Sequence, residues 1–249
     1  MAVHRMILAY DGGPFRGFAK QADVRTVQGT LEDALSKVLR SEVKTSAAGR
    51  TDAGVHALGQ VVSFSTAEEI ADVSDLKRRL NAMCGPEIAV LGLEPAGEGF
   101  DARFSASSRT YEYAVLNREV PDPFSRHSAW HVPDSLDLEA MRKAAGFLSG
   151  EHDFSSFARV EESQNPVRRI ESIEIDQQED LILFRITANS FLQQMVRSIV
   201  GTLVKVGAGK IPPDAVEEIL RARDRAAAAA VAPPHGLFLV SVAYPEELV

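Results

Sequence analysis

The sequence has little with which to cross-link, span a membrane or attract polyanions. One cysteine, Cys84, stands among 249 residues, which excludes an internal disulfide framework and fits a reducing compartment. No apolar run approaches the roughly 18 residues that a membrane-spanning helix needs. The opening residues Met1-Ala2-Val3-His4-Arg5 lead straight into a strand-like run without a signal-peptide pattern, so the expected location is cytoplasmic. A basic excess is missing as well. The net charge of −8 argues, on its face, against a nucleic-acid partner. Also missing is the Gly-x-x-x-x-Gly-Lys phosphate loop, so Tyr10-Asp11-Gly12-Gly13 reads as a binding or structural turn instead.

What is present is a chain long enough for one large domain or two ordinary ones, with 45% hydrophobic and 25% charged residues and hence a sizeable core. The acidity is local. Residues 65–100 and 161–185 each carry three Lys/Arg against seven Asp/Glu, and these two stretches account for the whole deficit. Arginine outnumbers lysine 20 to 7, and its planar fork pairs with phosphate and stacks on bases as lysine cannot. An RNA-binding face therefore stays open if the arginines gather on one side.

Hydrophobic periodicity orders the elements. Val3 to Tyr10 reads as a strand broken by Asp11-Gly12-Gly13-Pro14. Val27, Leu31, Ala34, Leu35 and Val38 give helical spacing over Thr26 to Arg40. Strands follow at Val43 to Ala48 and Gln60 to Ser65, then a helix capped by Ser74 and running to about Met83, then a strand from Ile88 to Leu93. The second half repeats this loosely. It has a strand at Thr110 to Leu116, a helix at Leu138 to Leu148, and a hairpin of Arg169 to Asp176 with Leu181 to Ala188. A long helix from Phe191 to Val206 is expected with Ser190 as its cap, then a helix at Asp214 to Arg223 and a strand at Leu237 to Ala243. Two β-α-β-β-α-β runs predict an α+β fold: two ferredoxin-like halves, 1–104 and 105–249, forming a central antiparallel sheet flanked by helices. The alanine run Ala226 to Ala230 reads as a helix end and loop.

Between the second and third strands lies Gly49-Arg50-Thr51-Asp52-Ala53-Gly54-Val55-His56-Ala57. It sets one carboxylate two residues after a guanidinium on a turn framed by glycines, where backbone can bend tightly and approach a ligand. A loop on a rigid scaffold is a usual place for catalytic groups. By itself an Arg-x-Asp turn is an ordinary surface feature.

The nonapeptide resembles the core motif of the tRNA pseudouridine synthase A family, the pseudouridine-38-40 synthases. Three further stretches match in order: Arg103-Phe104-Ser105-Ala106 with Arg109-x-Tyr111-x-Tyr113; Asp153-Phe154-x-x-Phe157; and Asn189-x-Phe191 continuing to Met195-Val196-Arg197. The resemblance runs from Tyr10 to the terminal Gly236-Leu237-Phe238-Leu239-Val240. It departs where many relatives have Gly-Trp-Gln: this chain has Gly17-Phe18-Ala19, with Gln21 kept.

The resemblance implies that Asp52 is the catalytic residue of a uridine-to-pseudouridine isomerisation in the tRNA anticodon stem-loop, at positions 38, 39 and 40, with no cofactor. Such an aspartate has to stay ionised in a water-poor pocket, which a nearby cation favours, and Arg197 is the partner implied. If the long helix starts at Phe191, Gln193, Gln194 and Arg197 share the face opposite its apolar stripe. A stacked uridine has to be flipped out before reaction; the resemblance assigns that step to Arg50 and stacking on the flipped base to Tyr111. Tyr111 and Tyr113 share strand parity, so the pattern alone does not separate them. With Tyr111 and Arg197 in the second half, the active-site cleft is expected between the halves. The resemblance also implies a homodimer holding one tRNA, with no membrane association. Arg16, Lys20, Arg25, Lys77, Arg78, Arg79, Arg168 and Arg169 are candidate backbone contacts. No metal is expected: the pairs His127/His131 and Asp52/His56 lie four apart, but neither sits in a clear helix, and His56 is expected to buttress the turn.

Overall fold

A computed structural model describes residues 1–248. Among them are ten strands and five α-helices, a mixed α+β architecture as the sequence predicts. The chain divides into two compact units: Met1–Arg109 together with the last strand from Phe238, and Thr110–Leu237.

The first unit runs β1 (Ala2–Tyr10), α1 (Val27–Leu39), β2 (Thr45–Ala47), β3 (His56–Thr66), α2 (Val73–Cys84) and β4 (Ile88–Ala96). On β1, His4, Met6, Leu8 and Tyr10 are buried, the period-two signature of one covered face. β1 lies between β4 and β3, antiparallel to both. The other edge of β3 is shared. β2 pairs with its later part, Thr45–Ala47 opposite Phe64–Val62, while β10 (Leu237–Ala243) runs parallel to its start, with Phe238 and Leu239 opposite His56 and Ala57. α1 buries Val27, Leu31, Ala34 and Leu35 as its spacing predicts, and the Thr26 side chain accepts from the Gly29 N–H as its cap. α2 buries Leu76, Leu80 and Cys84 along one stripe. Its cap is Asp72, which accepts from Asp75 N, rather than the expected Ser74. The carboxylate two residues earlier reaches the orphan N–H first.

The second unit contains β5 (Ser108–Asn117, from Thr110 on), β6 (Trp130–Val132), α3 (Leu138–Gly146), β7 (Gly150–Asp153), β8 (Val167–Gln178), β9 (Leu181–Ala188), α4 (Met195–Gly207) and α5 (Ala215–Ala222). Its strands lie in the order β5-β9-β8-β7, with β6 parallel beside β5. β8 and β9 form the expected hairpin, closing at Gln178 opposite Leu181. α4 is the buried centre of this unit. Of its thirteen residues only Arg197 and Lys205 fall outside the buried class, the pattern of a helix covered on all sides.

α4 corrects the sequence reading. It starts at Met195, not Phe191, and Ser190 does not cap it. Gln194 takes a left-handed conformation (φ 63) at the helix start, and Gln193 forms an isolated bridge with Arg159. The shared face of Gln193, Gln194 and Arg197 therefore does not exist. Phe191 and Leu192 carry helical spacing, but Phe191 packs edge-on against Tyr111 instead.

Candidate active site

The glycine-framed loop is fixed at Gly49, Thr51 and His56, and at Ala48 just before it, by the first unit's own polar groups. Gln60, 0% exposed on β3, clamps Gly49 from both sides: its Nε2 donates to the Gly49 carbonyl at 2.7 Å and its Oε1 accepts from the Gly49 N–H at 3.3 Å. The buried Arg109 guanidinium donates to the Ala48 carbonyl through Nε (3.2 Å) and Nη2 (3.1 Å), and to the carbonyls of Arg103 and Ala106. The Tyr10 hydroxyl lies 2.8 Å from Thr51 Oγ1, and Phe18 N–H donates to the Thr51 carbonyl at 3.0 Å. Burial pushes the Tyr10 phenol up to about 12, against smaller opposing effects of Thr51 and Gln60.

Asp52 opens a tight turn in which Val55 N–H donates to its carbonyl at 3.1 Å. Gly54, third in that turn, sits at φ 80, a conformation that favours glycine. The turn rests on the β1–α1 loop: a Cβ on Gly12 would stand 2.0 Å from the Val55 carbonyl oxygen. His56 buttresses this contact as expected, its Nδ1 accepting from Gly12 N–H at 3.1 Å while its ring stacks on Phe238. The result is a rigid platform with Arg50 exposed and Asp52 half-buried.

In the second unit, Tyr111 on β5 is 7% exposed, its ring edge-on to Phe191 at 5.0 Å. Tyr113, two residues on, is fully buried; its hydroxyl donates to the Pro233 carbonyl at 2.8 Å and its ring stands edge-on to Trp130 at 6.4 Å. Its hydroxyl is therefore committed to the backbone. Burial raises the Tyr113 phenol well above its ordinary value, with the Arg197 charge acting the other way.

Arg197 is held by an extended strap, residues 228–233. Its Nε donates to the Ala232 carbonyl at 2.8 Å, and the Ala232 N–H returns a bond to the Arg197 carbonyl at 3.1 Å. One turn on, a Cβ on Gly201 would lie 2.2 Å from the Ala230 oxygen, and Ala229 N–H donates to Thr202 Oγ1. The alanine run, read from sequence as a helix end and loop, forms a short 3₁₀ turn at Arg225–Ala227 and then this strap. Its small side chains let the backbone approach α4 closely.

The basic residues separate into groups. Arg78 and Arg79 both pair with Asp75, Lys20 with Glu32 and Asp33, and Arg25 with Glu87 while lying over the Phe15 ring. Lys77 donates to the Leu91 carbonyl, and Arg168 donates to the carbonyls of Asn165 and Val167. Arg16 and Arg169 have exposed side chains. His131 bonds the Arg118 carbonyl. Among the described residues, no three His, Cys, Asp or Glu side chains come together to hold a metal ion, and no helix is long and apolar enough to cross a membrane.

The Tyr10–Gly13 turn, expected to be a binding or structural turn, does support the Asp52 loop through Tyr10 and Gly12. Sequence reasoning missed Gln60 and Arg109 as supports of that loop and the strap as the support of Arg197. Gln60 had a signal, a lone amide beginning the apolar run Val61-Val62, where a buried polar side chain needs partners. The strap had none, because its contacts are distant in sequence.

The model of the tRNA pseudouridine synthase family matches residues 6–105 and 144–245. The tRNA pseudouridine synthase A of Thermosipho africanus is 48% identical over 237 residues, covering 95% of this chain and 97% of its own length. Those of Thermotoga sp. strain RQ2 and Nitrosococcus oceani are 43% and 46% identical, each covering 96% of this chain, with 98% and 92% of their own lengths. These matches define the class, an isomerase that converts uridine to pseudouridine. The chain belongs to the tRNA pseudouridine synthase family.

Proposed function

We propose that the protein isomerises uridine to pseudouridine in the anticodon stem-loop of tRNA, at positions 38, 39 and 40, with Asp52 as the catalytic residue. The observation that carries this reading is the platform itself: a carboxylate displayed on a turn whose backbone is clamped by Gln60, Arg109, Tyr10 and Gly12. Groups held this firmly spend little free energy on reorganisation during reaction. In the reaction the C1′–N1 bond breaks, the uracil turns over, and C5 bonds to the same C1′ while the C5 proton leaves and N1 gains one. Nothing is oxidised, and no cofactor is invoked. A carboxylate suits both assistance to bond cleavage and proton movement.

The remaining roles follow the family motifs. Arg50, exposed beside Asp52, enters the stem as the target base leaves it. Tyr111 stacks on the flipped uracil, and Arg197 holds the aspartate ionised. The protein acts as a cytoplasmic homodimer on one tRNA. The motif's division of labour places the aspartate and arginine in residues 1–104 and the tyrosine and second arginine in residues 105–249.

Asp52→Asn tests the reading. Pseudouridine formation, followed as tritium release from tRNA carrying 5-³H-uridine, is expected to vanish while tRNA binding persists. Full activity in that variant would sink the assignment. Pseudouridine mapping in tRNA from cells lacking the protein identifies the positions; loss confined to other sites would overturn the anticodon-arm specificity.

A further inference from the structure

The first unit holds one large aromatic ring out in solvent on a backbone that is not free to move. Phe104 is 81% exposed, whereas Phe100 and Ala102 just before it are core residues. The Asp101 carboxylate fixes the segment: Oδ1 accepts from Arg103 N–H (2.8 Å), Phe104 N–H (3.0 Å) and Ser46 Oγ (3.1 Å). Ser105 closes the turn, its N–H donating to the Asp101 carbonyl and its Oγ accepting from Asp101 N–H. Asp101 is thereby occupied with donors, and the Arg103 guanidinium lies over the Phe104 ring, 5.5 Å from its centroid.

A single exposed apolar residue needs no explanation by itself. This one differs in what it is tied to. The Arg109 guanidinium that grips Ala48, at the foot of the Asp52 loop, also grips the carbonyl of Arg103. The ring and the catalytic loop are thus fixed to one buried cation. An aromatic face beside a guanidinium, preorganised on a rigid turn, is the chemistry that receives a nucleobase: the ring stacks on any base, and the arginine takes the neighbouring phosphate.

We propose that Phe104 is a stacking platform for a base of the bound tRNA, with Arg103 on the adjoining phosphate. The proposal rests on the tRNA reading of the site above. It is tested by tRNA binding and steady-state kinetics of Phe104→Ala, Phe104→Leu and Phe104→Tyr. Removing one stacked base weakens binding about 5- to 150-fold, so Phe104→Ala is expected to raise Kd and KM within that range, with kcat moving less. Phe104→Leu keeps apolar bulk without a π-face and stays impaired; Phe104→Tyr restores affinity. Because the ring is exposed, all three proteins fold, which thermal melting verifies.

Wild-type affinity in Phe104→Ala overturns the proposal, as does full rescue by leucine. Dissociation of an oligomer in Phe104→Ala also overturns it, since the ring would then serve a protein contact. If the wild-type protein neither binds nor modifies tRNA, the functional reading falls first. If wild type acts, Asp52→Asn is inactive but binds, and Phe104→Ala behaves as wild type, only this inference falls.

Discussion

Residues 49–55 and residues 228–233 both lack regular secondary structure; the first carries Asp52 and the second holds the Arg197 side chain. They are held differently. The loop is gripped by buried polar side chains from three places in the first unit, at Gln60, Arg109 and Tyr10. The strap takes side-chain bonds from Arg197, Thr202, Arg225 and Tyr113, and adds a close approach of two backbones that Gly201 and the alanines allow. Polar clamps specify an orientation but leave costly orphans when broken. Close backbone contact specifies a distance and fails by overpacking.

The comparison can be broken at its strongest point first. Gln60→Met keeps the volume but removes both bonds to Gly49, leaving a half-buried N–H and C=O without that partner, at up to about 1–3 kcal/mol each. Urea denaturation is expected to show that loss, and tritium release a larger loss of rate than any strap variant gives. A Gln60→Met protein as stable and active as wild type would show the clamp to be incidental. Gly201→Ala drives a methyl into the Ala230 carbonyl and is expected to cost about 1–3 kcal/mol of stability, with activity falling because the Ala232 acceptor of Arg197 shifts. An unchanged denaturation midpoint would mean the strap can move away freely.

Alkaline pH acts on both regions, because burial raises the phenols of Tyr10 at the loop and Tyr113 at the strap; the loop's share can be isolated. Tyr10 stays neutral in the folded protein up to about pH 12, whereas an unfolded tyrosine ionises from about pH 10. The stability this provides is complete below pH 10 and is lost as pH rises towards 12, a loss of about 2–3 kcal/mol for the roughly two-unit shift. Tyr10→Phe is expected to unfold with a shallower dependence over that window; an identical slope would remove Tyr10 from the account. Tyr113→Phe, which removes one hydroxyl from the strap's end, is expected to cost about 0.5–1.5 kcal/mol and to lower kcat more than it raises KM. The smallest effect belongs to the paired surface arginines. Arg78→Ala and Arg79→Ala should leave the melting temperature unchanged. If either contacts a phosphate, the salt dependence of tRNA affinity becomes shallower by about one unit of slope.

The element order of the first unit was legible because its periodicities are clean: α1 buries four of the five residues its spacing names, with Val38 half-buried, and β10 occupies the predicted Leu237–Ala243. The start of α4 was not. Phe191 and Leu192 continue the apolar pattern of the helix, and nothing local announces that Gln194 turns left-handed or that Phe191 is claimed by Tyr111. β6 and β7, at three and four residues, are too short to show a period. Around the loop, the Gly49–Ala57 segment was visible as a unit, yet its supports arrive from residues 10, 12, 60 and 109. Contacts of that separation leave no pattern in a single sequence.

The chain has one tryptophan, and its place makes it informative. Trp130 stands edge-on to Tyr113, the residue whose hydroxyl fastens the strap. Under indole-selective excitation the emission of this protein therefore comes from a single indole next to that fastening. Lifting of the strap would register as a spectral change without any label, and at a time resolution that activity assays cannot reach.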